Sequence, residues 1–133
     1  NSIFRSIKGS GYTVGLAILL TRAIVIRDIM KKLAFKMKLK PGFKEEYKKR
    51  HDAIWPELKK MIKDSGVSDY TIFLDEETNI LFAVQKVEGT SSSQDLGTTA
   101  IVQKWWKYMA DIMETNPDFS PVTIPLEPVF HLE

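Results

Sequence analysis

Apolar and polar residues alternate from Leu33 onwards, which is the pattern of a β-strand with one buried face. Because successive side chains of a strand point to opposite faces, this segment predicts a half-buried strand. The Pro41-Gly42 pair predicts the turn that ends it. The apolar side of the strand consists of Leu33, Phe35, Met37 and Leu39, and the other side carries mainly lysines.

The spacing then changes to that of an amphipathic helix between Phe43 and about Asp64. Tyr47 and His51 are four residues apart, so they lie on the same face of this helix. Pro56 has no N–H and pushes the preceding residue away from helical angles, so the helix is predicted to break, with Pro56 as the first residue of its second part. The apolar stripe consists of Phe43, Tyr47, Ile54, Leu58, Met61 and Ile62.

The rest of the chain predicts a hairpin of two strands, a second helix and a last strand. Strand-forming residues separated by a short polar turn favour an antiparallel hairpin. The predicted segments are Tyr70–Leu74, Ile80–Val87, Thr98–Glu114 and Leu126–Leu132. The inner side of the second helix is predicted to consist of Ile101, Trp105, Tyr108, Met109 and Ile112.

The resulting order β-α-β-β-α-β predicts an α+β, ferredoxin-like fold, with two helices on one face of an antiparallel sheet. The other face of such a sheet would expose large apolar side chains unless a partner covered it. A twofold arrangement with two sheets facing each other solves this problem, so we expect a homodimer.

The first 29 residues do not continue these patterns. Two short apolar runs, Val14–Leu20 and Ala23–Ile26, are separated by Thr21-Arg22. Each run is well short of the roughly 20 residues that a membrane helix needs, and a signal peptide is not indicated either. We expect residues 1–29 to be a non-native or upstream extension and residues 30–133 to be the folded domain, with no membrane partner.

Composition and charge exclude several classes of function. The chain has no cysteine, which excludes disulfides and thiolate chemistry. Its net charge is +2, but residues 1–30 contribute +3, so residues 31–133 carry 15 basic and 16 acidic groups. Nucleic-acid binding needs a clustered basic face, so we expect no nucleic-acid partner. No spacing typical of metal ligands, phosphate loops or nucleophile elbows is present.

A few residues remain as candidates for chemistry. His51 lies beside the predicted helix break and titrates near neutral pH, so it can transfer protons; a surface or kink-bound histidine is the alternative. Tyr47 and Tyr70 can supply hydroxyl groups, although both also suit ordinary packing. Trp105 and Trp106 point about 100° apart on a helix, so one can pack in the core while the other lines a cavity.

Taken together, three segments resemble the L-rhamnose mutarotase family. They are Tyr47–Leu58, which contains the pattern YxxxH followed by WPEL, Lys104–Met113, which begins KWWKYM, and Asn116–Pro121. The resemblance runs from Met30 to the C-terminus and is weak only in Gly89–Gly97. It implies a dimeric α+β barrel in the cytoplasm that acts on L-rhamnose without a metal or organic cofactor. It further implies that His51 is the proton donor and that Tyr47, Tyr70, Trp105 and Trp106 bind the sugar.

Mutarotation opens the sugar ring and closes it on the other face. This needs an acid at the ring oxygen and a base at the anomeric hydroxyl, and the sequence assigns His51, as imidazolium, to the first role only. Two alternatives stay open, because fold does not determine function. Cofactor-free monooxygenases of the dimeric α+β barrel type use similar cavities but consume oxygen. A non-enzymatic small-ligand-sensing dimer would keep its function after loss of His51.

Overall fold

The computed structural model describes residues 30–89 and 92–133, and it has the predicted ferredoxin-like α+β architecture. The expectation for residues 1–29 lies outside the described residues. Within the described part of the chain, no helix is long and apolar enough to cross a membrane. The elements are β1 (Met30–Lys38), α1 (Lys44–Asp52), α2 (Pro56–Asp64), β2 (Val67–Asp75), β3 (Ile80–Glu88), a short 3₁₀ turn (Ser93–Leu96), α3 (Ala100–Met109) and β4 (Ile124–Leu126).

The four strands form one antiparallel sheet in the order β2-β3-β1-β4. Its inner face packs against the helices, as the alternation in β1 predicts. Phe35 pairs with Ala83 and Met37 pairs with Leu81, and all four side chains are buried in the core. The register therefore directs one side chain in two from β1 and β3 towards the helices.

The predicted helix break is confirmed. Helix α1 ends at Asp52 and α2 begins at Pro56, whose missing N–H costs nothing at the first position of a helix. Trp55 adopts an extended conformation, with φ −59° and ψ 129°, as the residue before a proline does. The apolar stripe is less even than predicted, because Tyr47 is the one buried residue of α1 and Phe43 is exposed.

Two boundaries differ from the predictions. Helix α3 is shorter than Thr98–Glu114, and its buried side is formed by Val102, Trp105 and Met109, whereas Tyr108 is 43% exposed. The last strand comprises Ile124–Leu126 and not Leu126–Leu132. Pro125 lies in this edge strand, where its lack of a donor is tolerated, so the apolar residues that follow are outside the sheet.

The outer face of the sheet carries exposed apolar side chains. Phe73 is 59% exposed, and Ile124 and Leu126 of β4 are also exposed. The C-terminal tail adds Val129 and Phe130, which are 93% and 80% exposed. The described structure thus leaves one face of its sheet and its tail without packing partners from the described residues.

Candidate active site

One cavity of about 690 Å³ lies between the helices and the inner face of the sheet. All five residues that the sequence singles out line it, although they come from three separate elements. These residues are Tyr47 and His51 of α1, Tyr70 of β2, and Trp105 and Trp106 of α3. The fold therefore brings the predicted residues together at one place.

The imidazole of His51 is held in a defined orientation. Its ring stacks on the ring of Tyr47, with centroids 4.1 Å apart and planes inclined by 25°. Its Nδ1 atom lies 3.0 Å from the backbone carbonyl oxygen of Tyr47. A carbonyl oxygen can only accept a hydrogen bond, so Nδ1 carries the hydrogen and Nε2 is the nitrogen that can exchange a proton with a ligand.

Burial lowers the pKa of His51 below its ordinary value of 6.5, and the hydrogen bond with the Tyr47 carbonyl and the charge of Asp52 only partly oppose this shift. The imidazole is therefore mostly neutral at pH 7, whereas the role expected from the sequence is that of an imidazolium acid. The protonated ring is the minor form at neutral pH, but it is a stronger acid than an ordinary imidazolium.

The two tyrosines face the cavity as neutral phenols. Burial, reinforced by the nearby Tyr70, raises the pKa of Tyr47 far above its ordinary value. Burial also raises the pKa of Tyr70, and a hydrogen bond with Ser93 partly opposes that shift. Tyr70 lies within a β-bulge of β2 between Ser68 and Thr71, where Asp69 has a φ of +47°. Such bulges re-aim side chains, and the Tyr70 ring lies edge-on to the inward-facing Phe35 at 6.5 Å.

The adjacent tryptophans have different environments, as their helical spacing predicts. Trp105 is 9% exposed and packs edge-to-face against His51 at 5.3 Å and against Trp55 at 5.1 Å. Trp106 is only half-buried and lies between the main cavity and a second cleft of about 390 Å³. Trp105 therefore joins the core to the site, and Trp106 forms a wall of the cavity.

The segment from Ser92 to Gly97 supports the site in a way that sequence reasoning missed. The hydroxyl of buried Ser93 accepts one hydrogen bond from the Gln85 side-chain amide at 2.8 Å, and the Ser93 backbone N–H donates to the Gln85 side-chain oxygen at 2.9 Å. A side chain at Gly97 would collide with the Trp106 ring, since an added Cβ would lie 2.5 Å from Cη2. This segment reads as a plain polar loop, so its composition carries no signal of these contacts.

Charged groups lie towards the rim of the cavity, while neutral groups form its walls. Lys48 pairs with Asp52 at 2.7 Å, and Lys44 pairs with Glu76. The lining is mainly aromatic and aliphatic, and its polar groups include the phenols, the imidazole of His51, Ser93 and Gln94. This arrangement suits an uncharged ligand that has both apolar faces and hydroxyl groups, with one imidazole available for proton transfer.

Comparison with known proteins identifies the family of this chain. A family model described as L-rhamnose mutarotase matches residues 32–132. L-rhamnose mutarotases of Phocaeicola vulgatus and Bacteroides thetaiotaomicron are 69% and 68% identical to this chain over 104 residues, which is 78% of this chain and 100% of each relative. The crystal structure of L-rhamnose mutarotase from Formosa agariphila matches with a TM-score of 0.73 and 62% identity, covering 77% of this chain and 99% of that one.

These matches cover most of the chain, extend over nearly the whole length of each relative, and agree with the fold described above. The chain belongs to the L-rhamnose mutarotase family.

Proposed function

We propose that this protein interconverts the α and β anomers of L-rhamnose by opening and closing the sugar ring, with His51 as the catalytic residue. The observation that carries the proposal is a largely apolar, aromatic-lined cavity that contains one imidazole, whose Nε2 is available for proton exchange. Such a cavity suits a neutral 6-deoxy sugar, whose C–H faces and methyl group favour apolar walls.

The five cavity residues divide into two roles. During opening the C1–O5 bond breaks, His51 donates a proton to the ring oxygen, and the anomeric hydroxyl gives its proton to a base, either water or another side chain; closure reverses both transfers. Tyr47, Tyr70, Trp105 and Trp106 bind the sugar, the phenols through hydroxyl hydrogen bonds and the indoles through their ring faces and edges. Because ring opening already occurs slowly in water, positioning plus proton transfer is sufficient to accelerate it.

The function is tested by proton NMR saturation transfer between the two anomeric signals of L-rhamnose. We expect the protein to exchange saturation between the signals much faster than buffer alone does, while the sugar stays unchanged in mass. Absence of enzyme-dependent exchange would contradict the proposal. Consumption of oxygen with an aromatic substrate would then favour the cofactor-free monooxygenase, and binding without turnover would favour a sensor.

We further propose that residues 30–133 form the mutarotase domain and that it works in the cytoplasm, as part of rhamnose breakdown. The domain proposal is supported by the continuous element order from β1 to β4. The cytoplasmic location is supported by the role of a mutarotase. Such an enzyme supplies the anomer that the next, intracellular enzyme of sugar metabolism uses.

We also propose that the protein is a homodimer in which the outer faces of two sheets pack together. Phe73 and Ile124 lie on this face and are 59% and 51% exposed. Apolar surfaces of this kind favour a partner, and a second copy offers the same surface in a twofold arrangement. The exposed Val129 and Phe130 of the tail add further apolar area for the second copy to cover.

Replacement of Phe73 by Glu is expected to convert the dimer to a monomer. A carboxylate buried in an apolar interface loses its hydration without gaining a partner. Sedimentation velocity measures the change, and Thr98→Glu, which adds the same charge at an exposed site away from the sheet, serves as the control. A wild-type protein that sediments as a monomer at micromolar concentration would contradict the proposal.

A further inference from the structure

Helix α1 carries Tyr47 and His51, yet little apolar surface holds it in place. It has nine residues, and Tyr47 is the one among them that is buried. Helices this short are unstable alone in water, and the side chain of Phe43 at its N-terminus makes no capping hydrogen bond. Polar contacts therefore help to hold α1 in place, and they also hold the imidazole of His51 that the helix carries.

Arg50 makes these contacts on the side of α1 next to His51. Its side chain is only 10% exposed although it is charged. Nη1 donates to Oδ1 of Asp111 at 2.8 Å, and Nη2 donates to Oδ2 of the same carboxylate at 3.1 Å. Nη1 also donates to the backbone carbonyl of Tyr108 at 2.7 Å, and Nε donates to Glu46 at 2.9 Å. We call these four residues the Arg50 clamp.

The Arg50 clamp joins α1 to the C-terminal end of α3. The Tyr108 carbonyl is one of the last carbonyls of α3, where no helical N–H follows to bond it, and a cation is favourable there. The guanidinium also lies 4.4 Å from the centroid of the Tyr108 ring, a cation–π contact. The clamp thus holds the two helices through one planar group.

The same two helices carry the two sides of the active site. Trp105 lies three residues before Tyr108 on α3, and its ring meets the ring of His51 edge-to-face at 5.3 Å. Arg50 itself is not among the residues that line the cavity. The contacts of Arg50 with Asp111 and Tyr108 therefore help to set the distance between His51 and Trp105, without contact to the sugar.

We propose that Arg50 is a positioning residue for mutarotation, which acts by fixing His51 of α1 against Trp105 of α3. This inference rests on the proposed function of the cavity. Lysine does not replace arginine in this role, because a single ammonium cannot bond both carboxylate oxygens of Asp111 and also stack on Tyr108.

The test compares anomer exchange of L-rhamnose in wild type, Arg50→Lys and Asp111→Asn, by the NMR assay described above. We expect kcat to fall on the order of 10- to 100-fold in both variants, with a smaller change in KM, because a displaced acid impairs the chemical step more than binding. Lys60→Met is the matched control, since it removes an exposed ion pair with Asp64 in α2, outside the cavity.

Two further readouts separate positioning from a general loss of structure. In the double variant Arg50→Lys/Asp111→Asn, kcat should be no lower than in the worse single variant, since both changes break the same contact. The NMR titration of the His51 ring should move towards its ordinary pKa as the ring loses its enclosure. Asp111→Asn keeps the other bonds of Arg50, so it preserves the fold if Arg50→Lys does not.

The outcomes are distinct. Wild type without anomer exchange would refute the proposed function, not this inference alone. Active wild type together with folded variants that keep wild-type kcat would overturn the role of Arg50. Losses that multiply in the double variant, or a His51 titration unchanged in both variants, would overturn it as well.

Discussion

Replacement of His51 by Ala is expected to reduce the enzyme-catalysed exchange of L-rhamnose anomers by about 10²- to 10⁴-fold, the range typical for loss of a positioned acid or base. The reason is that the proposed mechanism uses Nε2 of His51 for proton transfer, in a cavity whose phenols are held neutral. Saturation-transfer NMR at fixed protein and sugar concentrations measures the loss.

The control for this variant is Lys49→Ala, on the same helix but exposed and outside the cavity. It should exchange anomers at the wild-type rate. Because Tyr47 loses its stacking partner in His51→Ala, the fold of that variant is checked by circular dichroism. A folded His51→Ala protein with wild-type exchange would show that another group transfers the proton.

The pH dependence of the wild-type rate tests the direction of proton transfer. The pKa of His51 lies below 6.5, so the protonated form declines through that lowered pKa as the pH rises. As a proton donor, His51 should therefore give a kcat/KM that falls by about tenfold per pH unit above its pKa. If kcat/KM instead rises as the pH increases through the pKa of His51 and then reaches a plateau, neutral His51 would be the base of ring opening.

Replacement of Trp105 by Ala is expected to lower the free energy of unfolding by about 3–5 kcal/mol, the cost of removing a buried tryptophan from a packed core. Trp105 is 9% exposed and contacts the rings of His51, Trp55 and Tyr108. Its loss leaves a cavity bordered by three rings from three different segments. Urea unfolding followed by circular dichroism measures the change.

The neighbouring Trp106→Ala is the matched control for this prediction. Trp106 is half-buried and forms a cavity wall, so its removal should destabilise the protein less while raising KM for L-rhamnose. Equal losses of stability in the two variants would contradict the division of the pair into a core residue and a wall residue.

The sequence predicts the parts of this structure that depend on local spacing. Alternation in β1 identifies its inner face, and Pro56 places the break between α1 and α2, because the missing N–H and the restricted Trp55 act within a few residues. The i, i+4 relation of Tyr47 and His51 likewise predicts their shared face, and the structure shows their rings stacked.

Features that depend on distant partners were not predictable in this way. The burial of Arg50 is decided by Asp111, which is 61 residues away in the chain. The contact of Gly97 with Trp106 depends on how a polar loop folds back onto α3. The last strand was misplaced because the stretch that pairs with β1 is only three residues long and contains Pro125, which weakens its strand pattern although an edge strand tolerates it.

The aromatic cluster has an optical consequence. The chain contains three tryptophans, and all three lie at the cavity or against it: Trp106 on its wall, Trp105 beside His51, and Trp55 edge-on to Trp105. Intrinsic fluorescence therefore arises almost wholly from the surroundings of the site. A bound sugar changes this emission when it displaces water from an indole face, and so does protonation of the imidazole next to Trp105. Tryptophan fluorescence can therefore measure sugar binding without a label.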